Sequence, residues 1–376
     1  VWGIPLIQKD TGPKGLAAQP LGASPPRQRE NVPASAAKFV ICDHTIEHHF
    51  LPGYSHLSCP EQFLTAVAMV TKRIRLGHGI MHMPFKINHP FRAAEHVATL
   101  DILSGGRVEF GAGRATSPEE LLGFGVDPAE TQSQWEEALR ILPKIWTQRE
   151  FQGWESKHIK LPRRRVTPQP MQKPFPPMWV ASAQPYSVEF AGKNGFGCLG
   201  FGISDHRSGN FVQMYHDAIK HAKPEHGVIN NRFAVLRVAL CAPTDDEAIA
   251  IQEANYRLFY EQVTGLFAPW LEGKPPPTYE YVIQTWKELM AMGKTYTMKE
   301  LVEAGQAIIG SPEMCARFIN NLIDAGVDEV LLALHARRYH PAQSDPRLHP
   351  ALCRRGTATA EAAVVPTAVI TALVFG

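Results

Sequence analysis

The chain lacks an excess of either charge. Its 376 residues include 38 lysines and arginines against 36 aspartates and glutamates, so the formal net charge is only +2. Such a balance provides no broad field that would attract nucleic acid or an anionic membrane surface. Only residues 157–166 are locally basic, and the proline-rich stretch after them indicates a solvated, extended loop. We therefore expect neither a nucleic-acid partner nor a membrane partner.

Cysteine is also scarce. The six cysteines are spread along the chain without a CxxC pair, a pattern typical of reduced thiols in a cytosolic protein. The sequence does not begin with a cationic segment, an apolar core and a cleavage site, so secretion is not indicated. The apolar stretch 360–376 is shorter than the roughly 20 residues of a membrane span and contains Glu361 and Pro366. These features predict a cytoplasmic protein.

Strand-like and helix-like patterns alternate through the middle of the chain, as in parallel α/β folds. Seven short apolar stretches are predicted to be strands: residues 38–44, 74–80, 107–113, 178–182, 198–202, 233–242 and 329–334. Amphipathic helices are predicted between them, after Cys59, His89 and Gln132, and from Ser311 onward, where serine, proline and glutamate form a helix start. Seven strands fit either an eight-stranded barrel with one unrecognised strand or an open doubly wound sheet.

The two ends of the chain do not follow this alternation. Residues 15–37 contain four prolines where a first crossover helix would be expected, and proline in a helix interior costs about 3 kcal/mol. An eighth strand could come from residues 1–7, and the chain after Leu334 lacks helical periodicity. We therefore expect an irregular segment at 1–37, an α/β domain at 38–335 and an atypical tail at 336–376.

The stretch Glu47-His48-His49-Phe50 follows the first predicted strand. In parallel α/β folds, active sites lie at the carboxyl ends of the strands. Side chains alternate along an extended chain, which predicts His48 at the mouth of the fold and Glu47 and His49 in its wall. Histidine can exchange a proton near neutral pH. The alternative is a surface loop in which neither imidazole has a function.

The same region is rich in potential metal ligands, which raises a zinc site as a further alternative. The additional ligands are Cys42, Asp43, His44, His56 and Cys59. Neither a CxxC pair nor an HExxH motif occurs among them. We therefore predict no bound metal.

The stretch "EFGAGRATS", residues 109–117, also follows a predicted strand. Gly111 and Gly113 would allow the backbone to approach a ligand closely, and Arg114 could hold a phosphate with its bidentate fork. The GxGxxG dinucleotide fingerprint is incomplete, because Thr116 stands where its third glycine belongs. A tight turn without a ligand is the alternative.

Two further stretches end predicted strands. In "WVASAQPYS", residues 179–187, hydroxyls and free amides at a helix start would form an anion site, although Ser182 and Ser187 are equally compatible with simple helix caps. In "LGHGIMH", residues 76–82, the glycines indicate a close-packed corner. There we expect His78 and His82 to be satisfied by the backbone.

Taken together, these motifs resemble the luciferase-like flavin-dependent monooxygenase family, the superfamily of bacterial luciferase. The resemblance covers roughly residues 39–334, and "DILSGGRVEFGAGR" is its most specific element. The other matching stretches are "EHHF", "RIRLGHGI", "FGVD", "PPMWVASAQPYSVEFAGKNGFG" and "GSPEMCARFINNLIDAGVDEVLL". The resemblance implies a (β/α)₈ TIM-type barrel with loop insertions.

The resemblance also implies that flavin mononucleotide (FMN) binds in the barrel mouth. Arg114 corresponds to the family's phosphate-binding arginine. Gly79 and Ile80 fall where members often have a non-proline cis peptide beneath the flavin ring. The cofactor-binding positions so implied are Gly79, Ile80, Arg114, Ser182, Tyr186 and Ser187.

The implied reaction is oxygenation of a small organic substrate by dioxygen and reduced FMN through a flavin hydroperoxide in a dry barrel mouth. His48 would be the catalytic proton-transfer group, with Glu47 and His49 as its catalytic neighbours. A separate flavin reductase would supply the reduced FMN, and we expect a homodimer. A deazaflavin-dependent dehydrogenase, a metal-dependent barrel hydrolase and a non-catalytic relative are the alternatives. The substrate stays unnamed, because loops such as 204–229 and 267–297 are expected to shape the mouth.

Overall fold

A computed structural model of the protein describes residues 42–52, 54–200, 205–295, 297–303, 305, 307–334 and 369–374. The possible strand at residues 1–7 and the rest of the segment 1–37 lie outside these ranges. Most of the tail after Leu334 also lies outside them.

Parallel strands form the centre of the molecule. In the described residues the strands are β1 (Cys42–Thr45), β2 (Arg75–His82), β3 (Val108–Gly113), β4 (Trp154–Glu155), β5 (Lys160–Leu161), β6 (Met178–Ser182), β7 (Gly197–Gly200), β8 (Phe233–Cys241), β9 (Ala307–Gly310), β10 (Glu329–Leu334) and β11 (Val369–Val374). All seven strands predicted from the sequence are present. The sequence did not reveal β9, β11 or the short antiparallel pair β4–β5.

Eight of these strands are joined in a ring of parallel pairings. The order runs β10, β11, β1, β2, β3, β6, β7 and β8, and residues Ala234 to Val238 of β8 pair in turn with β10. The remaining residues of β8 pair with β9, which lies beside β8 toward its carboxyl end. This topology confirms the predicted TIM-type barrel over the open sheet.

The strand that lies between β10 and β1 in the ring is β11, which comes from the segment 336–376 that was predicted to be an atypical tail. Cys42 to His44 of β1 pair with Thr371 to Leu373 of β11, and β11 pairs along its length with β10. The expected contribution of residues 1–7 is therefore not needed for this position. A strand so far along the chain could not be assigned from its short apolar pattern alone.

Helices connect the strands and cover the outside of the ring. In the described residues the α-helices are α1 (Pro60–Val70), α2 (Pro90–Ser104), α3 (Pro118–Gly123), α4 (Thr131–Thr147), α5 (Pro185–Lys193), α6 (Asp205–Ile219), α7 (Asp245–Glu272), α8 (Glu280–Thr295), α9 (Met298–Glu303) and α10 (Pro312–Asp324). Five of them begin with proline, whose fixed φ suits the first helical position. The predicted cap at Ser311 is confirmed, because its side chain accepts the Met314 N–H. Within the described ranges, no helix combines the length and apolar character that a bilayer crossing requires.

The segments 204–229 and 267–297, expected to be loops that shape the mouth, are largely helical in their described residues, so their description as loops was wrong. Helix α6 occupies most of the first segment, and the end of α7 and all of α8 occupy the second. Pro269 lies near the end of α7, which ends three residues later at Glu272.

A second apolar cluster lies where α7 and α8 meet the segments that follow β3. Phe267 stacks on Trp286 with ring centroids 5.4 Å apart, and Trp270 packs on Tyr279 at 4.6 Å. Leu121 of α3 belongs to the same cluster. The helical pair α7–α8 therefore covers part of the carboxyl side of the sheet, where the candidate residues lie.

Candidate active site at the carboxyl ends of the strands

The chain turns sharply directly after the Glu-His-His triplet. Phe50 has a φ of 61°, a conformation that bulky residues rarely adopt. Its ring packs 5.1 Å from the ring of Phe124. At Gly123, an added Cβ would come within 2.4 Å of the Phe50 ring, so only glycine leaves room there. Packing thus stabilises a strained turn that presents the triplet to the neighbouring strands.

Glu47 is the buried anchor of the site. Its carboxylate accepts hydrogen bonds from the His82 N–H at 2.7 Å, from Asn88 Nδ2 at 2.9 Å and from His49 Nε2 at 2.9 Å. Burial alone would raise the pKa of Glu47, but these bonds and the nearby His82 hold it below its usual value. Glu47 is therefore an ionised, fully engaged group that ties the first loop to β2.

Glu120 is a second buried carboxylate, which the sequence did not single out. Ser117 caps the helix on which it lies, α3, by accepting the Glu120 N–H. One carboxylate oxygen, Oε1, lies 3.1 Å from His48 Nδ1 and accepts the His49 N–H at 2.9 Å. Burial would raise the pKa of Glu120, but the bond from His48 and the neighbouring imidazoles lower it. Because an ionised carboxylate only accepts, the hydrogen of this contact resides on His48 Nδ1, and Nε2 is the ring nitrogen that the bond does not use.

His82 lies between the two histidines of the triplet and is fully buried. Its ring centroid is 6.0 Å from that of His48 and 6.1 Å from that of His49. Its Nδ1 lies 4.0 Å from Glu120 Oε1, and in the described structure neither this nitrogen nor Glu120 Oε2 has a hydrogen-bond partner. Burial lowers the pKa of His82, so the ring is neutral. The expectation that the backbone would satisfy this ring was therefore wrong for Nδ1.

The predicted contrast between His48 and His49 is not seen in their burial. Their side chains are 13% and 14% exposed, respectively. Each ring instead bonds to its own carboxylate, His48 to Glu120 and His49 to Glu47. Alternation does place Glu47 and His49 together, but the loop after β1 leaves the sheet and neither histidine is confined to the wall.

A cavity of about 220 Å³ lies beside this cluster. Tyr54, one of its lining residues, packs edge-on against the His48 ring with centroids 5.1 Å apart. The other lining residues are mostly apolar: Phe50, Leu51, Pro52, Glu119, Gly265, Leu266 and Pro269. The site therefore has an imidazole cluster next to a largely apolar cavity between the first loop and α7.

Arg114 follows β3 and is half-buried. Its guanidinium donates to the Thr278 carbonyl at 2.8 Å and to Gln132 at 3.4 Å, and it stacks 4.4 Å over the Tyr279 ring. Burial lowers the pKa of Arg114, yet the group stays a cation. Among the described residues no carboxylate lies within ion-pair distance of this guanidinium.

The glycines before Arg114 accommodate a neighbouring strand. A Cβ added at Gly111 would lie 2.2 Å from the His78 carbonyl oxygen, and one at Gly113 would lie 2.4 Å from the Ile80 side chain. The two glycines thus make room for β2, and this packing explains them without a ligand.

Gly79 and Ile80 lie at an irregularity of β2, where its register against β3 shifts between His78 and Met81. In the described residues cis peptides occur only before Pro168 and Pro174. The cis bond expected between Gly79 and Ile80 is therefore absent.

The hydroxyls of Ser182 and Ser187 are used locally. Ser182 donates to the Val180 carbonyl at 3.4 Å, and Ser187 donates to the Gln184 carbonyl at 2.9 Å. Gln184, the residue before α5, gives the helix no side-chain cap. Pro185 has no N–H, and the Ser187 N–H donates to the Gln184 carbonyl at 3.1 Å. The Tyr186 N–H is therefore the remaining first-turn donor for an anion.

A chain of hydrogen bonds connects Arg114 to the start of α5. Gln132 accepts from Arg114 and donates to Glu136 at 3.0 Å, and the same Glu136 oxygen accepts the Tyr186 hydroxyl. Burial, followed by the bond to Glu136, raises the pKa of Tyr186 to about 12. The predicted positions Arg114 and Tyr186 thus belong to one network.

Asn88 and Glu120 were missed from the sequence, and His82 was named there only as a residue satisfied by the backbone. For Glu120 a signal exists, since "SPEE" at 117–120 has the spacing of a capping box. Glu120 bonds to His48 in place of the backbone at the start of its own helix. No local pattern marks His82 or Asn88, because their partner Glu47 lies far away in sequence.

The sequence profile of the family described as luciferase-like monooxygenase matches residues 44–329. The 4-hydroxyprotoasukamycin monooxygenase of Streptomyces nodosus subsp. asukaensis is 28% identical over 283 residues, covering 74% of this chain and 71% of that protein. The oxygenase component of the flavin-dependent trigonelline monooxygenase of Acinetobacter baylyi is 34% identical over 158 residues, or 40% of this chain. This alignment spans 41% of that relative, less than half of its length.

Solved structures share the fold. The oxygenating constituent of 3,6-diketocamphane monooxygenase from Pseudomonas putida, in complex with FMN, has a TM-score of 0.58 at 21% identity, covering 80% of this chain and 84% of that one. An F420-dependent secondary alcohol dehydrogenase has a TM-score of 0.61 at 16% identity, covering 77% and 83%. At these identities the likeness concerns the fold and does not decide between the two cofactors.

Proposed function

The chain belongs to the luciferase-like monooxygenase family, and from that premise we propose that it is an FMN-dependent monooxygenase that oxygenates a small organic substrate. The observation that carries the proposal is the His48–Glu120 pair beside an apolar cavity. A buried carboxylate that fixes one nitrogen of an imidazole leaves the other free for proton transfer. The named relatives, which are monooxygenases, support the same reaction class.

The residues around Arg114 fit the phosphate of FMN. The guanidinium has only neutral hydrogen-bond acceptors among its described contacts, so its charge is available to an anion. Through Gln132 and Glu136 it is connected to Tyr186, at the uncapped start of α5. We infer that Arg114 and the Tyr186 N–H in the first turn of α5 would hold the phosphate. When bound, reduced FMN supplies the two electrons that activate dioxygen.

His48 would donate or accept a proton at Nε2, while Glu120 keeps Nδ1 protonated and fixes the plane of the ring. Glu47 and His49 would act as a frame for this group, because Glu47 is already saturated by hydrogen bonds from three other residues. Tyr54 packs against the His48 ring and would limit its rotation. The catalytic assignment therefore falls on His48, with Glu120 as its positioning residue.

The apolar cluster formed by α7 and α8 would help exclude water from the cavity. Leu266 and Pro269 of α7 line the cavity. The aromatic residues of the cluster lie on α7 and α8 or pack against these helices. Exclusion of water protects reactive oxygen species from unproductive decay and strengthens polar contacts inside the site. The apolar lining favours a small organic substrate with little charge.

The reduced cofactor would come from a separate flavin reductase. The trigonelline enzyme, 34% identical over its aligned part, is named as the oxygenase component of a flavin-dependent system. We infer the same division of labour for this chain.

The test is oxygen incorporation from isotopically labelled dioxygen. Purified protein is supplied with reduced FMN by a separate flavin reductase and screened against small apolar ketones, aldehydes and aromatic compounds. Transfer of one labelled atom to a product, dependent on FMN, supports the proposal. Turnover with reduced F420 alone, without oxygen incorporation, would instead show a deazaflavin-dependent dehydrogenase.

A further inference from the structure

We propose that His48, His82 and Glu120 form a binding site for a divalent transition-metal ion such as Zn²⁺, and that an ion bound there inhibits the enzyme. One ligand atom from each of these residues lies within 4.8 Å of the other two. The inhibition rests on the proposed function, because the ion would bind Nδ1 of the ring assigned to proton transfer and remove the Glu120 contact that orients that ring. The binding of the metal ion itself does not depend on the proposed function.

Two unpartnered atoms point to this site. His82 Nδ1 and Glu120 Oε2 are buried and have no hydrogen-bond partner in the described structure. Leaving a buried polar atom without a partner is destabilising, because the desolvation of that atom is not compensated. A metal ion would coordinate such atoms and recover that free energy.

The distances suit a small tetrahedral ion. His48 Nδ1 lies 3.1 Å and His82 Nδ1 lies 4.0 Å from Glu120 Oε1. In a tetrahedral zinc site with bonds of about 2.0 to 2.1 Å, ligand atoms are about 3.3 Å apart. Shifts of less than about 1 Å would therefore bring the three ligands into coordination. Two imidazoles and one carboxylate are a ligand set that zinc and cobalt accept, with the fourth position left open.

A neighbouring triad of Glu47, His49 and His82 satisfies the same distance limit but is a poorer site. Both Glu47 oxygens already accept hydrogen bonds from protein donors. An ion there would have to displace those donors, whereas Glu120 offers a free oxygen. The two atoms without hydrogen-bond partners in the described structure, His82 Nδ1 and Glu120 Oε2, therefore favour the His48–His82–Glu120 triad.

An ion at this triad would compete with a proton. His48 now donates its Nδ1 hydrogen to Glu120, and a metal bond to Nδ1 requires that hydrogen to leave. The ion would also take the oxygen that orients the ring. The sequence prediction of no resident metal is unaffected, since the proposed ion is a competing ligand and not a cofactor.

Binding is tested without flavin or substrate. Metal-free full-length protein is titrated with Co²⁺, whose visible absorption reports tetrahedral coordination, and Zn²⁺ is then added to displace it. We expect one ion per chain. Glu120→Gln and His82→Leu should each weaken binding by more than about 100-fold, beyond the effect usual for groups outside the coordination sphere. His49→Asn, which alters only the neighbouring triad, should bind as the wild type does.

The controls separate this site from others. Thermal melts and circular dichroism confirm that each variant is folded, and His56→Ala removes an exposed imidazole of the same loop. Loss of binding in His49→Asn with retention in Glu120→Gln would assign the ion to the other triad and overturn the proposal. Equal binding in all variants would show surface binding only and would also overturn it.

Inhibition is measured separately, with the oxygen-incorporation assay. Stoichiometric Zn²⁺ should suppress turnover, and a chelator should restore it. Tight binding with unchanged turnover would overturn the inhibitory role. Cobalt binding by a chain that oxygenates no substrate would count against the monooxygenase proposal and leave the metal site standing.

Discussion

Two carboxylates are buried toward opposite ends of β3, and their partners differ in kind. Glu109, near the amino end of the strand, is contacted by Arg75, by Arg232 at 2.9 Å and by Trp179 Nε1 at 2.8 Å. Glu120, beyond the carboxyl end, is contacted by an imidazole and a backbone amide, and one of its oxygens has no partner in the described structure.

The difference separates a structural charge from a functional one. Burial would raise the pKa of both carboxylates, but Glu109 is kept ionised chiefly by two guanidinium groups and Glu120 chiefly by His48. A guanidinium keeps its proton under all ordinary conditions, whereas an imidazole exchanges its proton near neutral pH. Only the second pair can therefore move a proton while staying folded.

The largest expected effect comes from breaking the functional pair. His48→Asn keeps a donor near the Nδ1 position for Glu120 but removes Nε2, so turnover should fall by roughly 10² to 10⁴. Stability should change by less than about 1 kcal/mol. Steady-state oxygenation with supplied reduced FMN and thermal melts measure the two quantities.

The matched control is His49→Asn. This change removes the bond to buried Glu47, so we expect a stability loss of about 1 to 3 kcal/mol and turnover within about tenfold of the wild type. Full activity in His48→Asn would refute the catalytic assignment.

Removing the charge of Glu109 should lower the stability of the fold without changing the affinity for the cofactor. Glu109→Gln leaves Arg75 and Arg232 without their shared buried counter-charge, which should cost about 3 to 5 kcal/mol of unfolding free energy. Denaturant unfolding measures the loss, and FMN titration should show unchanged affinity. Glu95→Gln, in the exposed pair with Arg92, serves as control and should cost less than about 1 kcal/mol. A similar cost for both variants would contradict the distinction.

A third buried titratable group, His78 of β2, extends the comparison to the pH dependence of stability. Burial lowers its pKa to about 4 from an unfolded value of 6.5. Below pH 6.5 the unfolded chain binds a proton that the folded protein excludes. Above pH 6.5 the ring is neutral in both states and does not affect stability. As the pH falls toward 4, protonation of the unfolded chain lowers the free energy of unfolding by up to about 3 kcal/mol.

His78→Leu should remove that dependence. Both ring nitrogens lack hydrogen-bond partners in the described structure, so the substitution should be tolerated at pH 7. Unfolding measured between pH 6.5 and 4 should give a flatter curve for the variant. Parallel curves for both proteins would show that the titration belongs elsewhere, with Glu109 and Glu120 the next groups to examine.

The smallest effect concerns Arg114, a half-buried charge with no carboxylate partner among the described residues. Arg114→Ala should weaken FMN binding by about 1.5 to 3 kcal/mol, the range for a charge-assisted contact. Riboflavin, which lacks the phosphate, should bind nearly as before. Isothermal titration with both ligands is the measurement, and an equal loss for the two would rule out a phosphate role.

Most strands of the barrel could be predicted from the sequence, whereas β9 and the helices α7 and α8 could not. Seven strands were identified because apolar runs such as β8 carry their signal within a few residues. The strand β9 was not identified, although β1 and β7 have the same length of four residues. The helices α7 and α8 were taken for loops, because proline and mixed polarity obscured a pattern that tertiary packing stabilises.

For the site, the sequence located residues but not their partners. Glu47, His48 and His49 were found because they are adjacent, and Arg114 because it follows a strand. Their hydrogen-bonding groups come from distant segments, as with Glu120, and only the packed fold brings these together. The glycines before Arg114 show the converse, since a pattern that suggested a ligand is explained by the neighbouring strand.

The placement of β11 has a consequence for synthesis on the ribosome. Strand β1 is made early, yet one of its two partners is made after every other ring strand. Until then β1 and β10 each have an unpaired edge, and such edges readily pair with other chains. During translation the growing barrel is therefore open at one seam, and a molecular chaperone acting on this protein would find its target there.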